Sequence, residues 1–211
     1  SGKTEVYMNI IENILKDGKE VIVLVPEISL TPQMVNIFKS RFKNSIAILH
    51  SALSDGEKYD EWRKIERKEV NIVIGARSAI FAPISNLGLI IIDEEHSQTY
   101  KQDDQLPYYN ALEVAKMRQQ LDPTIKIVLG SATPSLESKS RALKGVYHQL
   151  TLTKRINNNA LAEVEIVDLS NPNQIDKDSN ILSLTLREAI QKTLEKKEQV
   201  ILLVNRRGYS V

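Results

Sequence analysis

The chain has 211 residues, of which 42% are hydrophobic and 26% charged, and its 28 Lys and Arg against 27 Asp and Glu leave a net charge of +1. This composition is typical of a folded cytosolic protein and argues against disorder. The absence of cysteine excludes a disulfide framework and a thiolate metal site within these residues. No stretch approaches the ~20 apolar residues that cross a bilayer. Bulk charge does not indicate a nucleic-acid partner, so any such site would have to be a local groove.

Short β-branched runs alternate with segments of helical period, which is the pattern of a parallel sheet with helices on both faces. The predicted fold class is therefore doubly wound α/β, with a lobe boundary near 150–160. On the apolar side of its helix, Trp62 is predicted to be core. Helices are predicted over 4–16, 32–42, 55–68, 108–120, 135–143 and 184–197, strands over 21–25, 46–49, 70–74, 89–92, 126–129, 164–168 and 200–204, and loops over 151–163 and 170–183.

Gly2, Lys3 and Thr4 stand at the start of the first predicted helix. A phosphate-binding loop uses glycine for close backbone approach, a lysine that reaches the β- and γ-phosphates, and a hydroxyl for Mg²⁺. Only the end of the GxxxxGK[ST] pattern is present, and its first glycine is expected upstream of Ser1. A capped helix start is the alternative interpretation.

Asp93, Glu94, Glu95 and His96 follow the aliphatic run 89–92. An acid at the carboxyl end of a buried strand sits where ligands bind in open α/β sheets. Asp93 is predicted to hold Mg²⁺, and Glu94 to polarise the water that attacks a γ-phosphate. The alternative is a solvated loop.

A third motif, Gly130-Ser131-Ala132-Thr133-Pro134, follows the predicted strand 126–129. Its small hydroxyl residues can approach another loop closely and exchange hydrogen bonds with the carboxylates and His96. Taken alone, the motif is more typical of an ordinary strand-to-helix turn with Ser/Thr capping.

In this order, SGKT, DEEH and SAT resemble motifs I, II and III of superfamily 2 helicases. Longer blocks resemble the PriA family of primosomal replication-restart DNA helicases: VPEISLTPQM, LHSALSDGEKYDEWRKI, IGARSAIFAP, DEEHSQTYKQDD, GSATPSLES and LLVNRRGYS. This resemblance covers essentially the whole chain and implies a RecA-like P-loop NTPase fold. It further implies that 1–150 are the ATP-binding first helicase lobe, truncated at its N-terminus, and that 151–211 are a linker and the incomplete start of the second lobe.

The resemblance also implies ATP and Mg²⁺ as cofactors and assigns residues to two sites. Without it, Arg77 would be read as a surface arginine and the rings of 96–109 as core anchors. The implied catalytic and nucleotide-binding residues are Gly2, Lys3, Thr4, Asp93, Glu94 and His96. The implied DNA-binding or coupling residues are Arg77, Ser78, Tyr100, Lys101, Ser131, Thr133 and Arg206, with Tyr100 and Lys101 in an aromatic-rich loop that could stack on unpaired bases.

The function that the resemblance implies is ATP-dependent 3′-to-5′ DNA unwinding at stalled replication forks, in a bacterial cytoplasm and associated with the nucleoid. Its expected partners are single-stranded and forked DNA, primosome proteins and single-strand-binding proteins, with no membrane. Zinc is expected only in a cysteine-rich part of a longer protein, and the 211 residues alone are expected to be inactive. The alternatives are another superfamily 2 translocase, a P-loop kinase or switch ATPase, and a non-catalytic interaction fragment.

Overall fold

The computed structural model describes residues 2–153, 162–171, 174–176 and 179–203. The chain divides into two compact units, Ser1–Asn158 and Asn159–Val211. The assignment of 1–150 and 151–211 to helicase lobes stays a prediction. In the first unit the helices are α1 Lys3–Lys16, α2 Pro32–Phe42, α3 Asp55–Glu66, α4 Ala111–Leu121 and α5 Leu136–Leu143, and the strands are β1 Glu20–Leu24, β2 Ile46–Leu49, β3 Ile72–Gly75, β4 Leu87–Asp93, β5 Lys101–Gln102, β6 Tyr109–Asn110 and β7 Lys126–Gly130.

Five parallel strands form the central sheet in the order β2-β3-β1-β4-β7. The register pairs Leu24 with Gly75 and Ile92, and Asp93 with Gly130. Carboxyl ends of neighbouring strands therefore lie side by side, and the loops that follow them meet at one edge of the sheet. The predicted parallel α/β sheet is confirmed.

Both faces of the sheet are buried, which explains why its strands are continuously apolar rather than alternating. Along β1, Val21 and Val23 pack into a cluster with α1 and with Phe38 of α2. The intervening Ile22 and Leu24 pack into a second cluster with Ile65 of α3 and the alanines of α4. The side-chain period of two thus divides one strand between two helical layers.

The second unit differs from what the sequence predicts. The strands predicted over 164–168 and 200–204 are wrong for the described residues, since 162–168 and 198–203 are irregular and Ile166 and Ile201 are exposed. A hydrophobic run forms a strand only when a neighbouring strand accepts its hydrogen bonds. The segment predicted as a loop contains instead the antiparallel pair β8 Ile175–Asp176 and β9 Ser179–Ser183, followed by α6 Leu184–Glu195.

Trp62 is a further correction, because 39% of it is exposed and it is not part of either apolar cluster. Ile65 alone is the buried residue of α3. The helix is stabilised instead by the capping box of Ser54 and Glu57 at its amino end. It is docked by a polar contact in which Glu61 Oε2 accepts a hydrogen bond from the Ile48 amide at 2.8 Å. None of the helices in the described residues is long and apolar enough to cross a membrane.

Candidate nucleotide site and adjoining groove

The amino end of α1 faces the carboxyl ends of β4 and β7, where the acidic and SAT motifs lie. Gly2 precedes α1 with a φ of 22°, a value that glycine adopts more readily than residues with a Cβ. Lys3 and Thr4 open the first turn. This arrangement brings together residues some 90 and 130 positions apart in the sequence.

Lys3 bridges the two acids at the end of β4. Its ammonium lies 2.5 Å from Glu94 Oε1 and 3.1 Å from Asp93 Oδ1. Burial by itself would lower the pKa of Lys3, but the hydrogen bonds to Glu94 and Asp93 outweigh it and the pKa is raised. Lys3 is therefore a cation at neutral pH, placed against the acids that were predicted to handle Mg²⁺ and water.

Glu94 adopts a φ of 47°, in the left-handed region that non-glycine residues seldom occupy. Such a conformation costs on the order of 1–3 kcal/mol and persists only when its surroundings impose it. Here Glu94 follows the last residue of β4, and its neighbour Glu95 donates its amide to the Gly130 carbonyl at 3.0 Å. The turn separates Glu95 from the other two acids, so that Asp93 and Glu94 face Lys3 while Glu95 points to the start of α5.

Tyr7 is a residue that the sequence analysis missed. It is buried, and its hydroxyl donates to Asp93 Oδ1 at 2.8 Å. Burial, followed by the hydrogen bond to Asp93, raises the pKa of Tyr7, so the phenol stays protonated and can only orient the carboxylate. The available signal was its position four residues after Lys3, which places both side chains on one face of α1.

Gly130 provides the space for that tyrosine. A Cβ at this position would lie 1.6 Å from the Tyr7 hydroxyl oxygen and 3.2 Å from Asp93 Oδ1. The first residue of the GSATP motif is thus required to be glycine by the packing of α1 against β7.

The predicted contact between the SAT motif and His96 is confirmed. His96 Nδ1 lies 2.8 Å from Ser131 Oγ, which also accepts from the Thr133 amide at 3.0 Å. The same imidazole nitrogen is 3.7 Å from Glu94 Oε2. Ser131 therefore connects the acidic motif to the β7 loop, while the catalytic role given to His96 stays a prediction.

Glu95 points away from Asp93 and Glu94 and accepts hydrogen bonds from the start of α5. Only 8% exposed, it accepts hydrogen bonds from the Ser135 amide (2.7 Å), the Ser135 hydroxyl (3.1 Å) and the Ser138 hydroxyl (2.8 Å). A carboxylate that receives amide and hydroxyl donors at a helix start complements the helix dipole. Glu95 thus fixes the first turn of α5 to the end of β4.

The donor set fits a Mg²⁺-bound nucleoside triphosphate. Mg²⁺ in such sites is held by one or two carboxylates together with substrate phosphates, rather than by an all-protein cage. Asp93 and Glu94 supply the carboxylates, Lys3 a point charge for phosphate, and Thr4 a hydroxyl in the same turn. In the part of the chain that is described, no group of three or more His, Asp or Glu side chains could hold a metal by itself. Bound Mg²⁺ would neutralise developing charge on the phosphates.

Tyr100 does not present its ring to solvent. It is 3% exposed, and its hydroxyl donates to the Asp93 carbonyl at 2.5 Å, with the Leu24 carbonyl 3.1 Å away. The prediction that Tyr100 stacks on a base is therefore wrong in this conformation, because the ring is buried and is not accessible to a base. A buried tyrosine is stable in the core when its hydroxyl has a hydrogen-bond partner, as it does here. The exposed ring of the loop is Tyr108, 65% exposed.

Arg77 connects the GARS block to the same loop. Its Nη1 donates to the Lys101 carbonyl at 2.7 Å, and its guanidinium lies 5.6 Å from the centre of the Tyr109 ring. The Lys101 side chain points elsewhere, 3.1 Å from Asp103. Ser78 is exposed. Arg77 and Lys101 are thus brought together, and through Tyr100 they adjoin the backbone of Asp93.

A groove with a cavity volume of about 520 Å³ lies beside Arg77. It follows the carboxyl ends of β2 and β3 and is bordered on one side by α3. Lining residues are Glu27, Leu49, His50, Ser51, Lys58, Trp62, Ala76, Arg77, Ser78 and Thr99. Of these residues, Arg77 and Ser78 were predicted to bind DNA or couple it to the nucleotide site, whereas Trp62 was predicted to be core. Arg206, a predicted DNA-binding or coupling residue, lies outside the described residues.

Similarity to known proteins covers the residues of this site. The replication restart protein PriA of Bacillus subtilis is 56% identical over 210 residues, which are 100% of this chain and 26% of the relative. Its counterpart from Haemophilus influenzae is 46% identical over 210 residues, again 100% of this chain and 28% of the relative. The chain spans about a quarter of the length of these curated relatives.

Two solved structures are similar over part of the chain. RecG bound to a three-way DNA junction is 23% identical with a TM-score of 0.47, covering 74% of this chain and 20% of that one. The Hef helicase domain of Pyrococcus furiosus is 13% identical with a TM-score of 0.43, covering 67% and 28%. Family membership is decided by sequence: the profile of the DEAD/DEAH box helicases matches residues 1–141, which include the Lys3, Asp93 and Ser131 motifs on a parallel P-loop NTPase sheet. The chain therefore belongs to the DEAD/DEAH box helicase family.

Proposed function

We propose that the protein containing this chain is an ATP-dependent DNA helicase that moves 3′ to 5′ and acts in the restart of stalled replication forks. The observation that carries the proposal is the placement of Lys3 within 2.5 to 3.1 Å of Glu94 and Asp93, in a chain of the DEAD/DEAH box family. Support for the replication-restart setting comes from the relatives named replication restart protein PriA.

In this proposal the residues act in three groups. Gly2, Lys3 and Thr4 would bind the phosphates of ATP. Asp93, whose carboxylate is oriented by the Tyr7 hydroxyl, would hold Mg²⁺. Glu94 orients the attacking water. Nucleotide binding would compete with the two carboxylates for Lys3 and thereby free Glu94 for that water.

The coupling to DNA is proposed to run from the groove to the site through short contacts. Arg77 holds the Lys101 carbonyl, and Tyr100 holds the Asp93 carbonyl. On the other side Ser131, with Thr133 in its turn, contacts His96. Single-stranded and forked DNA, primosome proteins, single-strand-binding proteins, a second helicase lobe and a cytoplasmic, nucleoid-associated location are proposed with this function.

The proposal is tested by measuring ATP hydrolysis of the full-length protein with and without single-stranded DNA. Lys3→Ala and Glu94→Gln are expected to lower the DNA-stimulated rate at least about 100-fold, because each removes charge or proton-transfer capacity at the phosphates. Lys16→Ala at the exposed end of α1 and Glu137→Gln on exposed α5 are the matched controls and should keep the rate. Hydrolysis that is equal with and without DNA would refute the helicase function.

Direction is tested with duplexes that carry a single-stranded tail on one strand. A 3′-to-5′ motor unwinds the duplex with the 3′ tail and leaves the one with the 5′ tail intact. The reverse preference would refute the proposed polarity. The proposed role in fork restart also requires a preference for forked DNA over single-stranded DNA. Equal activity on both would refute that role.

A further inference from the structure

We infer that α3 forms one wall of the single-stranded DNA path and that the Trp62 ring stacks on an unpaired nucleobase there. The inference rests on the proposed function and deepens it. It assigns a base-binding residue to α3, a helix that carries none of the predicted DNA-binding or coupling residues.

Contacts other than those of Trp62 hold α3 in place. The helix begins with a capping box, in which the Ser54 hydroxyl accepts from the Glu57 amide and the Glu57 carboxylate accepts from the Ser54 amide. It is docked by buried Ile65 and by the hydrogen bond from the Ile48 amide to Glu61. With these contacts in place, the indole is left at the border of the groove with 39% of its surface exposed.

The chemistry around the indole matches nucleic acid. Cations are supplied by Arg77 across the groove and by Lys58, one turn earlier on α3, whose ammonium lies 3.6 Å from the fully exposed Asp55 carboxylate. The one carboxylate of the lining, Glu27, already accepts hydrogen bonds from the Ser51 amide and hydroxyl. An aromatic face between cations binds successive bases and phosphates of a single strand without reading their sequence.

Position within the fold points to the same ligand. The groove contains Ala76, Arg77 and Ser78, so the Trp62 face is continuous with the block whose Arg77 and Ser78 were predicted to bind DNA or to couple it to the nucleotide site. A base lying on Trp62 would therefore belong to the same strand whose phosphates meet Arg77. Base stacking adds binding free energy that does not depend on salt concentration, whereas the contribution of a phosphate contact falls as the salt concentration rises.

The test measures binding of the full-length protein to two oligonucleotides of equal length, oligo-dT and an abasic strand with the same sugar-phosphate backbone, across a series of salt concentrations. Trp62→Ala is expected to weaken oligo-dT binding about 5- to 100-fold and to leave abasic binding unchanged. Trp62→Phe, which keeps a ring, should stay within about threefold of wild type. Tyr59→Ala, an exposed ring of α3 outside the groove, is the matched control and should change neither affinity.

Salt dependence separates stacking from phosphate contact. Trp62→Ala is expected to keep the slope of log affinity against log salt, whereas Arg77→Ala should reduce that slope by about 0.7. Trp62 is the one tryptophan of these 211 residues, so its fluorescence is the signal that Trp62→Phe removes. That signal should be quenched by oligo-dT and not by the abasic strand.

Unchanged oligo-dT affinity in Trp62→Ala, in a protein whose wild type shows DNA-stimulated ATP hydrolysis, would overturn this inference and leave the proposed function standing. Equal losses on oligo-dT and the abasic strand would also overturn it, because they would indicate damage to the fold or a phosphate contact. Absence of DNA stimulation in the wild type would instead refute the proposed function itself.

Discussion

Replacing Gly130 with alanine tests the packing that positions Asp93. At a backbone position that tolerates it, Gly→Ala stabilises a protein by about 0.4–1 kcal/mol, because the unfolded chain loses entropy. At Gly130 the new Cβ would lie 1.6 Å from the Tyr7 hydroxyl oxygen and 2.8 Å from Tyr7 Cζ. The hydroxyl would have to move roughly 2 Å to reach an ordinary contact distance. The 2.8 Å hydrogen bond to Asp93 would be broken.

The expected cost combines two effects. Overpacking of a buried site costs about 1–3 kcal/mol, and a buried hydroxyl that loses its acceptor costs about 1–3 kcal/mol more. After the small entropic gain, Gly130→Ala should lower the free energy of unfolding by about 1 to 5.5 kcal/mol. The matched control is Gly56→Ala in α3, where nothing lies within 4 Å of the added Cβ, and it should be neutral or stabilising.

The assay is urea unfolding followed by tryptophan fluorescence, because Trp62 lies in the same compact unit as Gly130. Tyr7→Phe removes the closest clashing atom, so the double variant should be less destabilised than the sum of the two single variants by at least about 1 kcal/mol. Additive effects, or a Gly130→Ala variant as stable as Gly56→Ala, would refute the account of Tyr7 and Asp93.

Three further outcomes follow from the same structure. Glu95→Ala should destabilise the first unit by about 2–4 kcal/mol, because the start of α5 loses three hydrogen bonds to one buried carboxylate. The control, Glu137→Ala in the exposed first turn of α5, should cost less than about 0.5 kcal/mol. Equal effects of the two substitutions would contradict the capping role of Glu95. Ser54→Ala should cost about 0.5–2 kcal/mol through the lost helix cap, and circular dichroism with urea unfolding would measure it. The raised pKa of Lys3 means that its contribution is fully present below the ordinary lysine value of 10.5 and lost only above it. The stability difference between wild type and Lys3→Met should therefore be flat from pH 6 to 9, and a decline within that range would contradict the Lys3 contacts.

The residues that we propose face DNA were less predictable than those that we propose bind nucleotide. Motif order predicted that Lys3, Asp93 and Glu94 belong to one site, because phosphate and Mg²⁺ chemistry demands these residue types next to a helix start and a strand end, and the structure brings the three side chains together. Exposure of an aromatic ring follows no such local rule. Tyr100 lies in a polar loop, yet its ring is buried and its hydroxyl lies within hydrogen-bond distance of two backbone carbonyls. Trp62 lies on the apolar side of a helix, yet it is exposed, because Ile65 and Glu61 make the contacts that dock this helix.

The amino-acid sequence by itself determined the parallel α/β class and the approximate bounds of the helices and of the five central strands, and it predicted the residues that we propose bind phosphate. These depend on hydrophobic period, helix caps and motif chemistry, which are local. Only the tertiary structure decided that Tyr7 holds Asp93, that Glu95 caps α5, and that Gly130 must lack a side chain. Each of these depends on β7 lying beside β4 in the register that pairs Asp93 with Gly130, and strand neighbours and register are set by long-range packing.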